Sequence, residues 1–364
     1  MEKLNYAIPM LAALAVSAAA TLPVGRLARA FGVYDRPTER SVSHRTGIPL
    51  LGGIAIGLGF VVGLAVALWF LKPAGAEGHV EGLLIGGLII LVLGAVDDRI
   101  GLGAGVKFSV QILAAAIAIH YGYQIDHLTD PVAQKRVIFE PWFVWVASTL
   151  WIVGITNAVN LVDGLDGLAT GVGTIIGATL TLIAFQAGQP LGICVGLALV
   201  GALVGFLPFN FPPARIFLGD TGSLFIGFVL SLLALEGYRR VSLLTFVVPL
   251  LALAVPILDT ALSIIRRVRL RTNPFRADRK HMHHRLLETR GSPRAAVLQF
   301  YFLTLCFCLI AVSFTNITGY PAALFLVAVV VLTLRLLWNL GALSFTGTQV
   351  GGDDLPAGAK EEKQ

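Results

Sequence analysis

Long apolar runs separated by short polar stretches organise the chain from one end to the other. Eleven such runs lie at about 5–25, 48–71, 80–96, 105–123, 139–157, 168–186, 189–207, 221–236, 241–265, 296–316 and 319–341. A crossing of the bilayer needs about 20 apolar residues. Backbone polar groups inside lipid must be satisfied within the segment, so the runs predict helices. The fold class expected is all-α: a polytopic integral membrane protein with about eleven transmembrane helices. The first run, with Lys3 ahead of it and Ser17-Ala-Ala-Ala20 inside it, resembles a signal peptide. Its length and the many spans behind it favour a retained helix. Between the fourth and fifth runs, Asp126 to Glu140 includes Val137-Ile138-Phe139, a short strand signal that predicts a small hairpin. Residues 1–341 read as one polytopic domain, and 342–364, with Gly351-Gly-Asp-Asp354, as a disordered tail.

Composition agrees. The 364 residues are 56% hydrophobic and 13% charged, with mean hydropathy +0.82, which excludes an ordinary soluble domain. The net charge of +6 is unevenly placed. With eleven spans, about twenty Lys and Arg fall on one side and six on the other. That side is expected to be cytoplasmic, with the N-terminus and the 126–140 segment outside. The basic excess thus belongs to cytoplasmic loops, and no basic stripe interleaved with aromatics points to nucleic acid. Cys194, Cys306 and Cys308 sit in apolar runs without metal or disulfide spacing, and read as packing residues.

Five polar clusters fall at span ends on the expected cytoplasmic face. Charged and amide groups there are expensive, so their convergence suggests chemistry. Asp97-Asp98 ends the third span. Two adjacent carboxylates repel unless a cation is near, so the pair reads as a general base with a metal or phosphate site nearby, or as a solvated helix end partnered by Arg99. Lys107 and Gln111 follow at helical spacing; Lys107 is a phosphate contact or a snorkelling lysine. Asn157, Asn160, Asp163 and Asp166 recur every third residue, on nearly one helix face. Asp163-Gly164 predicts that the helix ends there. These amides and carboxylates suit sugar hydroxyls, a base edge or Mg2+, or else a cap and a polar loop.

Asn210 to Asp220 joins two spans through Pro212-Pro213. Asp220 reads as a hard oxygen ligand for Mg2+ or as the N-cap of the next helix. Phe217 is a stacking platform or a packing residue. His281, His283, His284 and Arg285 sit in an arginine-rich loop, suited to phosphate oxygens or to anionic headgroups. Asp259 lies inside the ninth span, as a functional carboxylate or a partner for a neighbouring helix.

Taken together, Asp97-Asp98, Asn157-Ala-Val-Asn-Leu-Val-Asp-Gly-Leu-Asp-Gly167, Phe217-Leu-Gly-Asp-Thr-Gly-Ser223 and His281-Met-His-His-Arg285 resemble the polyprenyl-phosphate N-acetylhexosamine-1-phosphate transferases. The last motif and the count of eleven spans are most similar to the bacterial undecaprenyl-phosphate GlcNAc-1-phosphate transferases. The resemblance implies that a lipid phosphate attacks the sugar-bonded phosphorus of a UDP-N-acetylhexosamine, releasing UMP and forming a polyprenyl diphosphate sugar in the bacterial cytoplasmic membrane. It implies Mg2+, with Mn2+ as the alternative, and undecaprenyl phosphate or a similar acceptor, in contact with membrane lipid. A homodimer is compatible with it.

By motif, Asp220 is implied as the metal ligand, with Asn160 or Asp163 nearby, and Asp97 or Asp98 as the base. Asp166 and Phe217 are implied to hold uracil. Lys107 and the histidine loop are implied to meet phosphate and sugar, with Arg45 and Asn210 in the substrate-binding set. The chain departs from the pattern at Leu50, where relatives often carry arginine, and at Pro212, where many carry a polar residue. A phospho-MurNAc-pentapeptide translocase is the nearest alternative. A secondary transporter is the non-enzyme alternative, disfavoured because its polar site would lie near the bilayer midplane.

Overall fold

A computed structural model describes residues 2–35, 47–73, 76–129, 136–238, 249–269 and 292–315, with seven single positions between 321 and 335. The elements are α1 (Glu2–Ala30), α2 (Gly52–Leu71), α3 (Glu77–Ile100), α4 (Ala104–His120), β1 (His127–Thr129), β2 (Arg136–Ile138), α5 (Pro141–Val162), α6 (Leu168–Gln186), α7 (Pro190–Asn210), α8 (Gly219–Tyr238), α9 (Ala254–Arg269) and α10 (Pro293–Phe314). Among the described residues, eight helices are long and apolar enough to cross a membrane, and α4 is a shorter apolar helix. The molecule is an all-α, multi-pass membrane protein. Parts of the ninth and eleventh expected spans, and the 342–364 tail, lie outside the described residues.

Local sequence sets the helix ends. Proline opens α5, α7 and α10, where the missing N–H is not needed. Helix α3 continues past the apolar run to Ile100, because nothing breaks it before Gly101, which takes φ 67°. Asp97-Asp98 is therefore in the last turn of the helix rather than in a loop after it. Helix α5 likewise continues to Val162 and stops at Asp163-Gly164, as the Asp-Gly signal predicts. The expected hairpin forms: β1 and β2 pair antiparallel, with His127 opposite Ile138 and Leu128 opposite Val137.

Helix α8 is the axis of the bundle. Its Gly219–Glu236 stretch is 89% buried, the most enclosed of the eight spans. It packs on α2, α3, α5, α6 and α7. Phe228 and Phe225 fill the space beside Gly86 and Gly87 of α3, and Phe225 meets Phe60 of α2 edge-on at 5.5 Å. Two glycines let backbones approach the start of α8: a Cβ at Gly53 of α2 or Gly94 of α3 would overlap the Thr221 backbone. The N-terminus of α8 is thus clamped between two neighbouring helices. The three cysteines are free thiols, with Cys194 and Cys308 buried.

Candidate active site

The first turn of α8 gathers the polar groups. Lys107 of α4 places its ammonium between two carboxylates, pairing with Asp97 Oδ2 and, at 2.6 Å, with Asp220 Oδ2. Asn160 of α5 donates from Nδ2 to Asp220 Oδ1 at 3.1 Å and to Ser223 Oγ at 2.8 Å. Residues from α3, α4, α5 and α8 thus meet at one end of the bundle. Behind them, Gln111 and Asn157 exchange amide hydrogen bonds of 3.4 and 2.5 Å between α4 and α5. This pair sits one turn deeper than Lys107 and Asn160 on the same two helices, and fixes their register.

Adjacent Asp97 and Asp98 do different work. Asp98 Oδ1 accepts the Asp220 N–H at 2.8 Å. Its Oδ2 accepts the Thr221 N–H at 3.2 Å and the Thr221 hydroxyl at 2.5 Å. The first-turn amides of α8 therefore receive their cap from a neighbouring helix, where a negative charge also suits the helix dipole. The N-cap reading of Asp220 is corrected on this geometry: Asp220 lies inside the helix, and Asp98 caps it. In Asp97, Oδ1 accepts the Leu102 N–H at 2.6 Å, while Oδ2 pairs with the flexible Lys107 side chain and the carboxyl also meets that of Asp220.

Of these groups, Asp98 and Asp220 open onto a cavity of about 340 Å³, lined also by Asp163, Asp166, Asn210 and Phe217, with Asp35, Leu50 and Pro293 among others. Asp163 stands just beyond the end of α5. Removal from water, and then the charges of Asp220, Asp98 and Asp166, push its carboxyl well above the ordinary range. Asp166 Oδ2 accepts the Ala214 N–H at 2.9 Å and ties the 211–218 loop to α6's entrance. Asn210 is buried with both amide ends engaged: Oδ1 accepts from Thr170 at 2.8 Å and Nδ2 donates to the Ile216 carbonyl at 3.0 Å. The Phe217 backbone is locked by its N–H on the Pro49 carbonyl at 2.9 Å and its carbonyl on the Gly52 N–H at 3.1 Å. Its half-buried ring is left on the cavity wall. Arg294 donates from Nε to the Pro212 carbonyl at 2.9 Å, and the Tyr301 hydroxyl donates to the Gly167 carbonyl at 2.5 Å, so α10 braces both loops.

Of the residues singled out from sequence, Asp97, Asp98, Lys107, Asn160, Asp163, Asp166, Asn210, Phe217 and Asp220 come together here. Asp259 is buried in α9 and is not among the residues lining the cavity. Arg45, His281, His283, His284 and Arg285 lie outside the described residues. Sequence reasoning missed Asp35, Thr221 and Ser223. Thr221 and Ser223 stood inside a recognised motif without a stated role. Asp35 stood alone after α1, with no periodicity to mark it.

Mg2+ tends to use one or two carboxylates, several waters and substrate phosphates rather than a closed protein cage. The site fits that habit. Asp220 and Asp97 present carboxylates around a cation position that Lys107 fills, and among the described residues no three acidic, histidine or cysteine side chains form a preset metal cage.

Residues 80–238 match the model of the glycosyl transferase family 4, a stretch that contains Asp97, Asp98, Lys107, Asn160, Asp163, Asp166, Asn210, Phe217 and Asp220. The chain is 38% identical over 323 residues to a probable undecaprenyl-phosphate N-acetylglucosaminyl 1-phosphate transferase of Bacillus subtilis, covering 88% of this chain and 87% of that protein. It is 37% identical to a decaprenyl-phosphate N-acetylglucosaminephosphotransferase of Mycobacterium tuberculosis, over 78% of this chain and 76% of that protein. A phospho-N-acetylmuramoyl-pentapeptide-transferase of Latilactobacillus sakei is 34% identical over 56% of this chain and 65% of its own length. With its helices, its polar cluster and these long alignments in agreement, the chain belongs to the glycosyl transferase family 4.

Proposed function

We propose that the protein transfers N-acetylglucosamine 1-phosphate from UDP-N-acetylglucosamine to a polyprenyl phosphate such as undecaprenyl phosphate. Products are UMP and a polyprenyl diphosphate sugar for cell-envelope polysaccharide. The observation that carries the reading is the meeting of Asp97, Lys107, Asn160 and Asp220, from four helices, with Asp220 itself on the wall of a cavity. The coverage of the N-acetylglucosamine-type relatives, 88% and 78% of this chain against 56% for the muramoyl-pentapeptide type, favours the former donor.

An acceptor phosphate oxygen attacks the sugar-bonded phosphorus. A new P–O–P linkage forms as the bond to UMP breaks, and the electron pair leaves with UMP. Asp97 is the better proton acceptor for an acceptor phosphate that arrives protonated, since only its Oδ1 is tied to a backbone amide, whereas both Asp98 oxygens are. Asp98 is committed to the backbone and acts by holding Asp220 in place. Lys107 places a positive charge where the diphosphate oxygens enter, and Phe217 offers a stacking face for the base. Asp220 would hold Mg2+, with Asn160 beside it, and the metal when bound would neutralise the charge that develops on the diphosphate. The site faces the cytoplasm in this reading, supported by the described Arg26, Arg29, Arg99, Lys107 and Arg215 at the same end of the bundle as the site.

The test is an assay with purified protein, undecaprenyl phosphate, Mg2+ and radiolabelled UDP-N-acetylglucosamine, run in parallel with UDP-MurNAc-pentapeptide. Label in a lipid-linked N-acetylglucosamine diphosphate, with UMP released, is expected. Label from the muropeptide donor alone would replace the donor, and label that only crosses the membrane would replace the enzyme with a transporter.

A further inference from the structure

We propose that a second cavity, beside the active-site pocket and separate from it, binds a phosphate-bearing anion. It has a volume of about 780 Å³ and lies between the end of α1, residues Ile48-Pro49 and the 209–216 loop. Three arginines line it. Arg26 and Arg29 stand three residues apart on one face of α1, and Arg215 comes from the loop. No carboxylate lines the cavity among the described residues. None of the three arginines forms an ion pair among the described residues.

Simpler explanations cover only part of this. Arg29 lies in the last turn of α1, where the carbonyl end of the helix favours a cation. That accounts for one arginine, not for three around a hollow. A general excess of basic residues on this side explains their presence but not their grouping around one cavity. The rest of the lining is partly apolar, through Leu22, Ile48 and Phe209. Arginines contributed by two elements, together with apolar lining, suit a phosphate group that carries an organic substituent. The phosphate belongs either to an anionic lipid headgroup or to a soluble phosphate compound.

The cavity is also wired to the pocket. Arg215 is anchored by its N–H on the Phe209 carbonyl at 2.8 Å. Two residues later, the Phe217 N–H holds the Pro49 carbonyl at 2.9 Å, and Pro49 lines the second cavity while Phe217 lines the first. An anion drawing on Arg215 therefore pulls on the segment that positions the Phe217 ring.

The experiment is native mass spectrometry of the full chain in neutral detergent, stripped of anionic lipid and titrated separately with phosphatidylglycerol and with glycerol 3-phosphate. The variants are R26Q/R29Q/R215Q and a charge-matched control, R99Q/K360Q/K363Q. The wild type and the control are expected to bind one molecule of probe, and the cavity variant to bind it about a hundredfold more weakly. Retention of the lipid alone assigns the site to a headgroup; retention of glycerol 3-phosphate as well assigns it to the phosphate itself, from either source. Equal affinity in the cavity variant and the control, or no binding of either probe to the wild type, would overturn the proposal. Should the triple variant misfold, the single R29Q at the exposed helix end is expected to weaken binding about fivefold, and an unchanged affinity there would count equally against the site.

Discussion

Helices α3, α4 and α8 meet twice, once at each end of the bundle, and the two meetings differ in kind. At the far end, His79 of α3 lies 4.0 Å from Glu236 of α8 and sets its ring edge-on to Tyr123, just past α4, at 5.3 Å. One acid faces one base, and both are largely buried. At the site end, Asp97 and Asp220 flank a single Lys107, Asp98 caps α8 beside them, and the adjoining cavity adds Asp35, Asp163 and Asp166. The far-end cluster can close its charge upon itself. The site-end cluster cannot, and an excess of half-buried carboxylates beside a cavity is what a site awaiting a cation and a phosphate requires. Polar residues in a membrane protein are therefore informative through their imbalance, more than through their burial.

The sharpest way to break this contrast is to remove the carboxylate that both Lys107 and Asn160 touch. Asp220→Ala is expected to lower turnover by about a thousandfold or more, on the scale of losing a principal electrostatic group, measured as lipid-linked label at saturating Mg2+. Near wild-type turnover with an ordinary Mg2+ dependence would place the chemistry elsewhere. Lys107→Met comes next, with a loss of about a hundredfold, because the carboxylates lose the cation that organises them. A turnover unchanged there would return Lys107 to the role of an interfacial lysine.

A finer contrast separates Asp97 from its neighbour. Asp98→Asn keeps an acceptor for one α8 amide and is expected to cost about tenfold in turnover, with about 1 kcal/mol of stability lost with the cap. Thr221→Val should reproduce part of that stability loss, since it removes the hydroxyl partner of Asp98. Asp97→Asn should instead reduce turnover with little loss of stability, and flatten the acid limb of the pH–rate profile. Identical pH profiles and identical unfolding curves for the two Asn variants would erase the distinction drawn between cap and base.

The same contrast shows what the sequence made legible. Apolar run length located most of the helices to within about five residues, because lipid leaves the backbone no alternative; at the ninth run, 241–265, the described helix instead begins at Ala254, after a turn at Leu253. The site's membership was readable wherever polar residues interrupted those runs, as at Asp97-Asp98 and the Asn157–Asp166 ladder. Roles were harder to read. Nothing in the spacing of Asp98 and Asp220 shows that one caps the helix of the other, since that depends on Gly53 and Gly94 letting three backbones close in. Asn210 looked like a ligand contact and has both amide ends committed inside the protein. Asp35 carried no periodic signal, because its place on the cavity comes from chain reversal after α1. His79 and Glu236 escaped notice for the opposite reason: their partnership joins residues far apart in sequence.

At the far end, Glu236→Gln should leave turnover within about twofold while lowering stability by about 1–2 kcal/mol, the scale of a buried polar contact. The check is thermal unfolding in detergent beside the transfer assay. A large loss of turnover in a stably folded Glu236→Gln would show that charge balance does not separate the two ends after all.

The smallest expected effect tests the imbalance itself, without substrate. The Asp163 carboxyl is raised above its ordinary value of 3.8, first by removal from water and then by Asp220, Asp98 and Asp166. The folded chain therefore holds this proton more tightly than the unfolded chain. The resulting stability is fully present below the unfolded value and is lost as pH rises through the raised folded one. Asp163→Asn removes that slope. In a chelator and at neutral pH it should raise the melting temperature by about 2–4 °C, with the gain vanishing near pH 4 where the wild-type carboxyl is protonated. Added Mg2+ should narrow the gap, because a bound cation favours the charged wild-type carboxylate and gives nothing to the amide. A variant that melts below the wild type at neutral pH in chelator would mean that Asp163 is held by a partner that stabilises its charge, and that the acids around the cavity are not in excess.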